Sequence, residues 1–238
     1  MRTTRLTRRL PALLLALLGL QVSLAPAAGA EGGLLGLGLL APAAQSGPVS
    51  ATLAPAAPTM LQVEQRLAAL RYDVGPIDGA PDGRTTTAVM AFQKVNGLAR
   101  TGVLTDPVAA RIMATQAPPP PMVLNGEPNR IEVSLARQVL FLYERGALTG
   151  ILAVSTGTAA TPTPTGTFRI NRFDPGWHTS RLGRLYNAEY FVGGYAFHGS
   201  LSVPAQPASH GCIRLSMSAA RWFPDHVTRG MQVVILPG

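Results

Sequence analysis

The chain has 238 residues, 47% hydrophobic and 13% charged, with 25 glycines and 21 prolines, which leaves room for two small domains and excludes wholesale disorder. A single cysteine excludes a disulfide scaffold. The formal charge is +8, but setting aside Arg2, Arg5, Arg8 and Arg9 of the leader leaves 16 basic against 12 acidic residues, and the arginines are spread, so the dense basic stripe of a nucleic-acid-binding protein is missing and no nucleic-acid partner is expected.

Residues 1–30 have the pattern of a secretory signal peptide. Four arginines precede an apolar stretch, LPALLLALLGL, and small residues end in Ala28-Gly29-Ala30. The stretch is short for a bilayer span. Cleavage is therefore expected, with no stable membrane span afterwards, and the mature chain is expected in the periplasm or cell wall. A mild positive surface suits such a polyanionic environment. An unpaired thiol kept in an oxidising compartment points to a function that needs free sulfur.

Residues 31–58 are Ala-, Pro- and Gly-rich and read as a linker. Residues 59–116 read as three short helices with a minimal core. Leu61, Leu67 and Leu70 mark the first, and a turn-rich stretch occupies 73–84. The second is expected over 85–96, with Ala88, Val89, Phe92 and Val95 buried and Gly97 ending it. Thr105 or Asp106 caps the third, with Pro107 in its first turn. The Gly75-x-x-Asp78-Gly79 loop and Ala88-x-x-x-Phe92-Gln93 resemble the three-helix peptidoglycan-binding module of wall enzymes. The resemblance implies glycan and stem-peptide partners. Residues 117–128, with four consecutive prolines, read as a semi-rigid spacer.

From residue 129 the period becomes two, and residues 129–238 read as a mainly-β domain. Ile131, Val133 and Leu135 alternate with polar residues, then Val139, Phe141 and Tyr143. Further strands are expected at 151–155, 167–170 and 231–236, with a helix over 217–227 interrupted by Pro224. Trp177 and His178 fall in a Gly/Pro-rich stretch read as solvated loop, with a lid as the alternative. Trp222 reads as core and His226 as surface.

The chemistry concentrates in His198-Gly199-Ser200 and Ser209-His210-Gly211-Cys212-Ile213-Arg214. A thiol is nucleophilic as thiolate, and a nearby imidazole or positive charge favours that form, so Cys212 is expected to be ionised at neutral pH. Gly211 allows close backbone approach, and N–H groups around Gly211 and Cys212 can stabilise an oxyanion. Arg214 and His210 share the Cys212 face of an extended segment, and His210 or His198 could be the base. Zinc ligation by Cys212, His198 and His210, a structural cluster, and a redox-sensing thiol are the competing readings.

The segment FHGSLSVPAQPASHGCIRLS resembles the active-site motif of the L,D-transpeptidases, the family of the YkuD-type catalytic domain. Upstream, Val154-Ser155-Thr156-Gly157 and Thr163-Pro164-Thr165-Gly166-Thr167-Phe168 resemble its central strands. The resemblance implies a mixed-sheet sandwich with a short helix. It implies Cys212 as nucleophile, His198 as general base, His210 as an orienting histidine, and Ser209 and Gly211 as shaping the oxyanion site. Arg214 stands where many members have Asn, and it is expected to steady the loop or meet a substrate carboxylate. Gly199 stands where some members have a serine that orients the base, so that hydrogen bond is expected from elsewhere, a backbone carbonyl being one source. Tyr190, Phe191 and Tyr195 are candidates to line the donor cleft, with core packing as the competing reading. The implied reaction is 3→3 crosslinking of peptidoglycan through a Cys212 thioester with loss of the terminal D-Ala. No cofactor or metal is implied, and carbapenem-type β-lactams are implied inhibitors. An L,D-carboxypeptidase with water as acceptor, coupling to a protein amine, and a non-catalytic wall-binding protein are the alternatives.

Overall fold

The computed structural model describes residues 56–237. The expected leader and most of the 31–58 linker lie outside the described residues. Side-chain caps open the first two helices, whereas Thr105 at the start of the third makes no side-chain cap bond. Helix α1 (Met60–Ala69) opens on a capping box between Thr59 and Gln62. Helix α2 (Gly83–Val95) begins two residues earlier than its apolar pattern predicts, because the Asp82 carboxylate accepts the Arg84 and Thr85 N–H groups at 2.8 Å. Helix α3 (Asp106–Ala114) carries Pro107 in its first turn. Buried Glu64 organises the turn between α1 and α2. Its carboxylate accepts the N–H groups of Asp78 (3.2 Å) and Gly79 (2.8 Å) and the Thr85 hydroxyl (3.0 Å).

The strands are β1 (Arg130–Ser134), β2 (Val139–Glu144), β3 (Ala147–Ala153), β4 (Gly166–Arg169), β5 (Arg172–Ser180), β6 (Gly183–Val192), β7 (Tyr195–Gly199), β8 (Ile213–Leu215) and β9 (Gln232–Leu236). They form two sheets, ordered β3-β2-β1-β9-β4 and β5-β6-β7-β8. Each holds one parallel pair, β1 with β9 and β7 with β8. Helix α4 (Met217–Trp222) passes into a 3₁₀ turn at Pro224. A helical N-terminal region and a mainly-β domain of two mixed sheets with a short helix is the architecture the sequence predicts. Between the sheets lie Ile131, Val133, Leu140, Leu142, Phe197, Ile213 and Leu215, closed by Ala219, Ala220 and Phe223.

A second core corrects the expectation of a helical bundle with a minimal core of its own. Val139, Phe141 and Tyr143 on the outer face of β2, with Ile151 and Ala153 of β3, pack against Val63, Leu67, Phe92 and Ile112. Strand β2 reads VLFLYE and is buried almost throughout because both faces are covered. The chain after α1 also caps the sheet: Ile151 donates to the Arg71 carbonyl (2.8 Å), and Asp73 donates to Ile151 (3.3 Å). The edge of β3 is thus bridged at Ile151. After the four prolines the chain is tied to the sheet, since Met122 N–H donates to Glu132 (2.8 Å) and Glu127 N–H to Gln232 (3.3 Å).

Candidate active site

Strand register builds the site. In the parallel pair, Phe197 lies opposite Ile213 and His198 opposite Arg214. Phe197 and Ile213 enter the inter-sheet core. Alternation then turns His198, Cys212 and Arg214 to the other face. There they line one cavity of about 570 Å³ with Ser209, His210 and Tyr190.

The turn before Cys212 is held by its own side chains and by the 157–163 segment. Ser209 Oγ accepts the Gly211 N–H (3.0 Å) and donates to the Cys212 carbonyl (2.5 Å). The Ser209 carbonyl accepts from the Thr161 hydroxyl (3.1 Å), and the Gly211 carbonyl from the Thr163 hydroxyl (2.7 Å). Gly211 has φ +112°, and a Cβ there would overlap the Tyr195 ring. Only glycine fits. Tyr195 therefore backs the turn, whereas Tyr190 faces the cavity.

His198 is buried, and its Nδ1 lies 2.9 Å from the Gly199 carbonyl. A carbonyl only accepts, so the proton is on Nδ1 and Nε2 is left basic. The orienting bond missing at the Gly199 side chain thus comes from the Gly199 backbone. A side chain could not supply it, because a Cβ on Gly199 would lie 2.8 Å from the Ala220 Cβ on α4. Burial lowers the imidazole's pKa; the Gly199 bond opposes this and Arg214 reinforces it.

The thiol departs from expectation. Burial raises the Cys212 pKa, and a backbone hydrogen bond at Ala196 and the Arg214 charge offset this only in part. Its Sγ lies 3.7 Å from the Gly194 carbonyl, within reach for S–H donation. Burial thus works against the thiolate expected from sequence, because desolvation of a half-buried sulfur outweighs one guanidinium. His210 is exposed at the cavity. Arg214 lines the wall, and its backbone pairs with Ser155 (N–H to O, 2.9 Å).

Sequence reasoning missed the β5–β6 hairpin, whose Arg172, Arg181, Leu182 and Arg184 complete the cavity. Trp177 and His178 lie on β5, paired with Tyr186 and Leu185, and not in a loop. The register shifts between Asp174 and Trp177, at Pro175-Gly176, which hides the alternation. The readable signal was β-rich LYNAEYFV, ended by Gly193-Gly194. His226 is half-buried, 3.2 Å from Glu144 and stacked on half-buried Trp222 at 4.0 Å. Among the described residues no group of three or more His, Cys, Asp or Glu could hold a metal ion.

Residues 128–235 match the family model of the L,D-transpeptidase catalytic domain, YkuD, and residues 57–112 match that of a peptidoglycan-binding domain. The crystal structure of the L,D-transpeptidase from Xylanimonas cellulosilytica is 35% identical, with a TM-score of 0.69, over 75% of this chain and 93% of that one. The chain belongs to the L,D-transpeptidase family. An L,D-transpeptidase from Stackebrandtia nassauensis is 24% identical over 77% of this chain and 93% of that one (TM-score 0.48). One from Mycobacterium smegmatis is 24% identical over 47% of this chain and 59% of that one (TM-score 0.43). Among curated proteins no sequence matches. In this L,D-transpeptidase four guanidiniums, of Arg172, Arg181, Arg184 and Arg214, surround the cavity that holds the cysteine. No helix among the described residues is long and apolar enough to cross a membrane.

Proposed function

We propose that the protein is an exported cell-wall enzyme that forms 3→3 crosslinks between peptidoglycan stem peptides through a Cys212 thioester. The observation that supports this reading is His198 and Cys212 facing one cavity, with the imidazole tautomer fixed by the Gly199 carbonyl.

The donor is a stem tetrapeptide. As it enters, the Cys212 Sγ–H proton passes to His198 Nε2 while sulfur attacks the carbonyl carbon of the third residue. Burial disfavours charge on both groups, so in this reading the proton transfer accompanies attack. The Gly211 N–H is already given to Ser209, which leaves the Cys212 N–H as the donor we assign to the oxyanion. The C–N bond then breaks, and His198 returns the proton to the departing D-Ala amine. An acceptor side-chain amine attacks the thioester, loses its proton to His198, and the sulfur leaves and is reprotonated. Arginines around the cavity favour a peptide that carries carboxylates, and the helical module provides wall affinity. The same thiol would open a carbapenem-type β-lactam ring to a stable acyl-enzyme.

Incubation with a disaccharide-tetrapeptide tests the reading. Crosslinked dimers plus free D-Ala are expected. Tripeptide without dimer would establish the carboxypeptidase, and no turnover together with no carbapenem mass adduct would leave only wall binding.

A further inference from the structure

Lys94, the chain's only lysine, is almost completely buried on α2. Its Nζ crosses the helix–sheet core and donates to the Val154 carbonyl (2.8 Å) and the Gln138 carbonyl (3.2 Å). A buried amine held between two main-chain carbonyls is a costly choice where an apolar side chain would fill the space. The stretch of chain beyond Val154 gives the amine a purpose.

The segment from Val154 to Thr158 lies between the lysine and the catalytic turn. On one side Val154 N–H donates to the Gln138 carbonyl (3.0 Å). The Gln138 side chain clamps Thr156, accepting its N–H (2.8 Å) and donating to its Oγ1 (2.6 Å). On the other side the Thr156 carbonyl accepts the N–H groups of Ala208 (2.9 Å) and Ser209 (3.0 Å). Ser155 pairs with Arg214, and Thr158 N–H donates to the Ser209 carbonyl (3.1 Å). Ser209 in turn fixes Gly211 and Cys212. From the amine to the nucleophile's turn every step is a short hydrogen bond between buried or half-buried groups, and such networks hold geometry cooperatively.

We infer that Lys94 is a positioning residue for the reaction: through Gln138, Val154 and Thr156 it sets the Ser209–Cys212 turn, so that the helical module is a working part of the active site as well as a wall anchor. The inference rests on Cys212 being the nucleophile. A small displacement of a nucleophile lowers the rate of attack far more than it lowers substrate affinity.

The test is a double-mutant cycle with Lys94→Met and Thr156→Val in the full chain. It reads kcat and KM for D-Ala release from a disaccharide-tetrapeptide, beside the melting temperature. In folded protein each single variant is expected to lower kcat about tenfold with KM little changed. The double variant should fall no further than the worse single one, since both cut one path. An unchanged kcat in a folded Lys94→Met protein, or effects that multiply, overturns the inference. Should Lys94→Met not fold, Thr156→Val decides alone, and a wild-type kcat in it is the overturning result. If the wild type releases no D-Ala, the functional reading has failed, and the path is read by iodoacetamide alkylation of Cys212. A shift of severalfold in the folded variants supports the linkage, and an unaltered rate sinks it.

Discussion

The carbonyl of Gly199 holds the imidazole of His198 at 2.9 Å, in place of a neighbouring side chain. One residue thereby serves two surfaces: its carbonyl fixes the tautomer of the imidazole, and its missing side chain lets α4 pack against β7. Replacing Gly199 with serine should not improve the base. The new Cβ would meet Ala220 at 2.8 Å, and overpacking of this kind costs about 1–3 kcal/mol. A lowered melting temperature and slower acylation are expected. A stable, faster variant would refute the account.

The two histidines should separate under mutation. His198 is buried with its tautomer fixed, while His210 is exposed at the cavity. His198→Ala should slow carbapenem acylation by about 10²–10⁴, and His210→Ala by much less. Intact-mass time courses on folded proteins measure both, and the reverse order would mean the roles are exchanged.

The pH dependence of the free thiol is set by burial. Cys212 is raised above the ordinary thiol value and His198 is lowered. Iodoacetamide alkylation of Cys212 should therefore be slow at neutral pH and keep climbing beyond the pH at which a free cysteine levels off. A plateau already reached at pH 7 would show that the resting site holds a thiolate after all.

Glu189 on β6 is almost wholly buried, and its Oε2 has no hydrogen-bond partner. Burial pushes its carboxyl up to about 9. The unfolded chain ionises this group near the usual carboxylate value, so its contribution to stability is full below about pH 4.5 and is lost as pH rises through the folded value. Glu189→Gln should flatten the fall in melting temperature across pH 5–9 and raise it at pH 8 by about 5 °C. Parallel pH profiles for the two proteins would contradict this.

How much of this could be read from the residues depended on periodicity. Strands β1, β2 and β9 and the three helices announce themselves, through alternation in IEV, continuous apolar runs in VLFLY and VVIL, and helical spacing around Leu67 and Phe92. The β5–β6 hairpin does not, because Pro175-Gly176 breaks its alternation, and with it went three of the four cavity arginines. Cys212, His198 and Arg214 were legible from one short motif. The burial that works against the thiolate was not, since it is supplied by residues of β6 and β7. The shared core was visible only as an oddity: β2 is apolar on both faces, more than one sheet interior requires.

That shared core predicts the result of cutting the protein. A fragment beginning at residue 129 would expose Val139, Phe141, Tyr143, Ile151 and Ala153 together with the unpaired edge of β3. Each large side chain uncovered forfeits about 1.5–3 kcal/mol, and bare strand edges promote aggregation. The fragment should be insoluble or oligomeric in size-exclusion chromatography. A monomeric, cooperatively melting fragment would show that the helices are dispensable.

Because Lys94 is the chain's one lysine and is sealed inside, the folded molecule turns arginine guanidinium groups, and no lysine amine, toward its surroundings. Under the proposed thioester mechanism, a catalyst passing its acyl group to an amine would thereby be spared from labelling itself or a sister copy at a lysine. Its positive charge is carried by groups too weakly nucleophilic to intercept that ester.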